Sequence, residues 1–127
     1  MYPASLGLSS VPSRLCVAIP LFFAAFGLGA WGLLTFRRHG ASPEPSAVPS
    51  TLVTSGPFRF SRNPLYIALV VTLAAFAALL NSLWLLCFVP FLALLLHTLV
   101  IPREEARLLQ HFGPQYLAYT RNVRRWL

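Results

Sequence analysis

Between Thr51 and Tyr66 the chain reads TLVTSGPFRFSRNPLY, a polar stretch marked by arginine and proline and set between apolar runs. Arg59 and Arg62 supply fixed positive charge, Asn63 can both donate and accept hydrogen bonds, and Phe58 and Tyr66 offer aromatic faces. A second polar group, Arg103, Glu104 and Glu105, follows the last apolar run. Acids and aromatic faces attract cations. At the edge of a bilayer, such residues can hold a water-soluble cofactor beside a lipid-soluble substrate. His39 and His111 have no ligand spacing with each other or with cysteine, so no metal site is expected. His97 lies in an apolar run seven residues before Glu104, on nearly the same face of a regular helix. An ionisable group there is either site-lining or a plain intramembrane histidine.

These groups must be positioned by apolar helices. The chain of 127 residues is 57% hydrophobic and 10% charged, whereas soluble domains carry about 25% charged residues. Its formal charge of +7 comes wholly from arginine. Basic flanks facing anionic lipid account for that charge better than nucleic acid does, because no aromatic–basic interleaving on a soluble scaffold is present.

The expected architecture is a single all-α integral membrane domain with three transmembrane helices and a C-terminal helical tail. Residues 1–13 form an N-terminal segment, weakly ordered or interfacial. The first span covers 14–36, with about 22 residues free of internal charge, enough to cross a hydrocarbon core of roughly 30 Å. A cleaved signal peptide is the competing reading, but the apolar run is long and Arg37-Arg38 follow it like a stop-transfer flank. Ala25 and Gly29 form a small-xxx-small pair that admits a neighbouring helix. A loop over 37–63 carries the polar stretch. The second span covers 64–80, with Pro64 at its first turn, and the third covers 82–101. Asn81-Ser82 joins them as a tight turn, making an antiparallel hairpin with Ala74 and Ala78 as a close-packing face. The tail, 102–127, opens at Pro102 with Glu104 and Glu105 in the first turn of a new helix, where acid complements the helix dipole. Leu108, Leu109, Phe112, Tyr116 and Tyr119 line an apolar side suited to the headgroup layer, with the two tyrosines as interfacial-belt residues. Cys16 and Cys87 read as buried thiols acting as small hydrophobes. Every arginine but Arg14 falls on one side of this arrangement, so the positive-inside rule puts the loop and tail in the cytoplasm and the N-terminus outside.

Thr54-Ser55-Gly56-Pro57-Phe58, Arg62-Asn63-Pro64-Leu65-Tyr66, Glu104-Glu105, Phe112-Gly113-Pro114-Gln115-Tyr116 and Tyr119 through Val123 occur in order around a short hairpin. Together they resemble the isoprenylcysteine carboxyl methyltransferase family and are similar to the related phospholipid N-methyltransferases. The resemblance covers roughly residues 50 to 127 and implies a membrane methyltransferase using S-adenosylmethionine without a Rossmann sheet. Carried over by position, it makes Thr51, Leu52 and Val53 backbone contacts of the cofactor. It adds Phe58, Asn63, Pro64, Tyr66 and Glu104 as cofactor-binding residues. Arg62, Asn63, Glu104 and Glu105 stand as the catalytic set, and Arg103 as a substrate contact. The cofactor's sulfonium and amino groups are cationic, which suits an acid and aromatic faces.

Methyl transfer to a carboxylate needs neither general base nor metal, because the nucleophile is already ionised and alignment supplies the catalysis. An amine would first have to lose a proton, and the motif shows no compelling base. This favours a carboxylate or thiolate-like acceptor, lipidic or lipid-attached, and the resemblance makes it most like the carboxyl of a prenylated cysteine. A phospholipid amine is the alternative, and a non-catalytic membrane scaffold the second. The family histidine is replaced by Asn63 and the motif tyrosine by Phe58. Only one span precedes the motif, so a second protomer could complete the cavity; a homo-oligomer stays open.

Overall fold

The computed structural model describes residues 5–8, 10–38 and 52–127. All regular structure among them is helical: α1 (Val11–Arg38), a 3-10 turn (Gly56–Arg59), α2 (Pro64–Leu79), α3 (Leu83–Leu95), a π turn (Leu96–Val100), α4 (Ile101–Phe112) and α5 (Pro114–Asn122). His39, Thr51 and the rest of the connector between Arg38 and Leu52 lie outside the described residues.

Small side chains decide how α1 and α2 meet. Ala18, Ala25 and Gly32 recur every seven residues on α1 and are buried, as are Ala68 and Ala75, likewise seven apart, on α2. A Cβ on Gly29 would lie 3.6 Å from the Cβ of Ala68, and one on Gly32 would lie 2.9 Å from Cδ2 of Leu65. The Ala25/Gly29 pair does what its spacing predicts: it lets two apolar helices approach and gain packing where lipid offers no hydrophobic drive. Phe22 and Phe76 close the contact edge to face at 5.0 Å.

Asn81 turns the chain with φ of 50°, and the hydroxyl of Ser82 accepts from the Leu85 amide at 3.3 Å to cap α3. The Asn81 Oδ1 also accepts from the amides of Leu6 (3.0 Å) and Leu8 (3.1 Å). The described part of the N-terminal segment is thus tied to the far end of the hairpin rather than left loose. The outward faces stay apolar: Phe23, Phe26, Trp84, Phe88 and Phe91 are all exposed. So are Cys16 and Cys87, both free thiols. They are small hydrophobes on the outer surface, not in the core, because α1 buries only Ala18, Ala25, Gly32 and Thr35, and α3 buries none of its residues.

Among the described residues two helical stretches are long and apolar enough to cross a membrane, Val11–Arg38 and Leu83–Phe112; Pro64–Leu79 is apolar but shorter. The second stretch corrects one expectation. Pro102 does not begin a new helix, since the helix runs on from Leu83 to Phe112. A proline inside a helix lacks an N–H and its ring crowds the preceding turn. Here the turn ahead of it widens to π geometry, with the Ile101 amide bonding the Leu96 carbonyl five residues back. Glu104 and Glu105 therefore do not cap a free helix start. They are placed by what packs against α4.

Candidate active site

The polar stretch folds back under α4 and α5. The 3-10 turn buries Pro57 and Phe58, with the Phe58 ring edge-on to Phe36 at 4.8 Å and packed against Val53. Leu52 joins Tyr116, Tyr119 and Val123 in a second apolar cluster, with Leu108 and Phe112 alongside. Leu109 is not part of it and stays exposed. The apolar side of the tail thus faces the motif loop, not a headgroup layer. Tyr116 and Tyr119 are buried, not interfacial. The Tyr119 hydroxyl donates to the Phe58 carbonyl at 2.8 Å and approaches the Ser61 carbonyl at 3.4 Å. Burial pushes both phenols above their ordinary pKa. Tyr119→Phe should leave a buried carbonyl unpaired and cost about 1–2 kcal/mol. Thermal unfolding in detergent should register this as a drop of several degrees, whereas an unchanged midpoint would mean the hydroxyl does not hold the loop.

With the loop pinned, Arg62 and Tyr66 face α4 from one end of α2. The Tyr66 hydroxyl donates to Oε1 of Glu104. Arg62 meets Oε2 of Glu105 at 3.3 Å, and Nε of Arg125 meets Oε1 of the same carboxylate at 2.6 Å. Two guanidiniums thus share Glu105, while Glu104 is left to Tyr66 and to the electrostatic pull of Arg107. The Nε of Arg62 is buried and has no hydrogen-bond partner. An open groove of about 370 Å³ lies alongside, lined by Leu95, Leu99, Val100, Arg103, Glu104 and Arg107.

The structure therefore brings Arg62, Tyr66, Glu104 and Glu105 together and sets Arg103 at the groove. It places the other expected residues differently. Leu52, Val53, Phe58 and Pro64 are buried in the packing that frames the loop. Asn63 uses its side-chain amide on the Arg125 carbonyl at 2.8 Å, and its own amide bonds the Ser61 hydroxyl at 3.1 Å. Sequence reasoning missed Arg125, Trp126, Arg107 and Ser61. Charge scarcity was the one usable signal: three acids against ten basic residues mean that a half-buried carboxylate will find an arginine. Among the described residues no cluster of three metal-ligating side chains occurs.

An all-helical chain with apolar helices of spanning length, and a polar cluster where they end, is the setting for chemistry at a membrane surface. No protein of curated function and no solved structure shows significant similarity to this chain. The family model for phospholipid methyltransferase, however, matches residues 13–115, taking in α1, the motif loop, the hairpin and the acidic pair. The chain belongs to the phospholipid methyltransferase family, and so to the membrane methyltransferases.

Proposed function

We propose that the protein transfers a methyl group from S-adenosylmethionine to a lipidic acceptor, most like the carboxyl O-methylation of a prenylated cysteine. The observation that carries this reading is the groove. Its walls are Leu95, Leu99 and Val100, and its rim is Arg103, Glu104 and Arg107. A hydrocarbon chain suits such walls, and an anionic head suits such a rim. When bound, S-adenosylmethionine would supply an electrophilic methyl on a sulfonium.

The residues present fit that cofactor. Arg62 Nε, a buried donor with no partner, suits its carboxylate. Glu104 lines the groove as an acid and suits the cationic groups, with the Tyr66 hydroxyl fixing its orientation. In this reading Arg103 and Arg107 orient the acceptor head, the apolar walls exclude water, and Glu105 braces the arginines. Asn63, Phe58 and Pro64, with the backbone of 51–53, act as framework. In the membrane, the arginine-rich loop and tail face the cytoplasm and the N-terminus lies outside, as charge asymmetry favours.

A phospholipid amine is the second reading, favoured by the family match itself. Glu104 at the groove could take up the proton that an amine must release. Calorimetry of S-adenosylmethionine with the protein in nanodiscs tests the shared part. Micromolar binding, weakened about tenfold or more by Tyr66→Ala, is expected. No binding by the folded protein would remove both enzyme readings and leave the scaffold. Product analysis with a prenylated cysteine and with phosphatidylethanolamine then separates ester from methylated amine.

A further inference from the structure

After α5 the chain does not trail away. Val123 is extended (φ −129°, ψ 128°), and the residues behind it lie across the motif loop. The Arg62 amide donates to the Arg124 carbonyl at 2.9 Å. The Arg125 carbonyl accepts from Asn63 Nδ2 at 2.8 Å, with the Ser61 hydroxyl at 3.5 Å. Arg125 Nε reaches Glu105. At its far end this strap meets His97: Trp126 Nε1 donates to His97 Nδ1 at 3.2 Å, and Arg125 NH1 lies 3.3 and 3.4 Å from the two ring nitrogens. An indole nitrogen only donates, so Nδ1 of His97 is the acceptor in the Trp126 contact.

The π turn makes this meeting possible. His97 and Glu105 are eight residues apart, which on a regular helix sets them about 80° apart. A π turn absorbs one extra residue and sets the helix back by about 100°, so the pair falls within roughly 20° of one line. A single arginine can then touch both, as Arg125 does. The expectation that His97 shares a face with Glu104 held for a regular helix. The inserted residue passes that place to Glu105 and turns Glu104 away, toward Tyr66 and the groove.

We propose that His97 is the catch of a C-terminal latch, a positioning residue. By holding Trp126 and Arg125 it keeps the strap on Arg62 and Asn63 and fixes Glu105 between its two arginines. The link to cofactor affinity rests on the methyltransferase reading; the latch itself does not.

Two readouts keep the two apart. Amide hydrogen exchange of the full-length protein in nanodiscs reads the latch directly, through the Arg62 amide bonded to Arg124. His97→Ala should speed exchange there about fivefold, the worth of one net hydrogen bond. His97→Asn, whose side-chain oxygen can accept from Trp126, should restore most of the protection. Thr98→Ala, on the same turn but with its hydroxyl donating back to the Leu94 carbonyl at 2.7 Å, should change nothing. Unchanged exchange in His97→Ala, or equal loss in both His97 variants and in Thr98→Ala, overturns the latch. Calorimetry with S-adenosylhomocysteine on the same samples should show weaker binding by His97→Ala, about threefold to tenfold, with recovery by His97→Asn. Faster exchange at undiminished affinity would overturn the positioning role. If the unaltered protein does not bind S-adenosylhomocysteine, the methyltransferase reading fails, and the exchange result still decides the latch.

Discussion

Glu104→Ala is expected to lower methyl-transfer efficiency about a hundredfold while leaving the helices folded, which places it among the largest single-residue effects on activity. Among the described residues Glu104 is the only acid lining the groove, beside Arg103 and Arg107. Opposite charges about 4 Å apart attract by about 4 kcal/mol at an effective dielectric of 20, so even a partial loss of that attraction to a cationic cofactor is large. Structurally the same change is mild, because what it removes is an acceptor for the Tyr66 hydroxyl, not an ion pair that joins two segments. Glu104→Gln keeps an acceptor for the Tyr66 hydroxyl but removes the charge, so it should retain orientation and still lose about tenfold or more. Glu105→Ala should differ in its effect on stability. It leaves Arg62 and Arg125 facing each other without their shared carboxylate, so thermal stability should fall along with activity. The checks are kcat/KM with a prenylated-cysteine acceptor and the unfolding midpoint of each variant. An efficiency for Glu104→Ala within threefold of the unaltered protein would remove Glu104 from the site.

Much of the framework was legible because it depends on local chemistry. Pro64 opens α2, Asn81-Ser82 turn and cap the hairpin, and the Ala25/Gly29 spacing marks a close helix approach. Each is a property of neighbouring residues. What stayed hidden depends on helix phase or on distant partners. The widened turn at Leu96–Val100 leaves no periodic trace, yet it exchanges the places of Glu104 and Glu105 relative to His97. Tyr116 and Tyr119 have the amphipathic spacing of a surface helix. Only the loop that covers them shows their apolar side to be internal. Asn63 stands at a motif position, but its amide is committed to a carbonyl 62 residues away, a pairing no local pattern encodes.

Gly56→Ala should be the most destabilising conservative substitution at the site, for two separate reasons. Gly56 has φ of +61°, a conformation that costs an L-residue about 1–2 kcal/mol. A Cβ there would also lie 2.5 Å from Oγ1 and 3.2 Å from Cγ2 of Thr35, and 3.2 Å from Nε1 of Trp31. Thr35 cannot easily retreat, being buried with its hydroxyl donating to the Trp31 carbonyl at 2.7 Å. Overpacking of this kind costs a further 1–3 kcal/mol or so. The sum, about 2–5 kcal/mol, is a large part of the roughly 5–15 kcal/mol that holds a domain together. The strain falls on the 3-10 turn that buries Phe58 and leads to Arg62, so cofactor affinity should drop with stability. Gly27→Ala is the contrast, since nothing lies within 4 Å of its Cβ and α1 is helical there; it should be neutral to within about 1 kcal/mol. The double change Gly56→Ala with Thr35→Ala separates the two costs. Removing Oγ1 and Cγ2 of Thr35 relieves the closest contacts but neither the one to Trp31 nor the backbone strain, so about half of the lost stability should return. Full recovery would assign the whole effect to the clash; no recovery would assign it to the backbone.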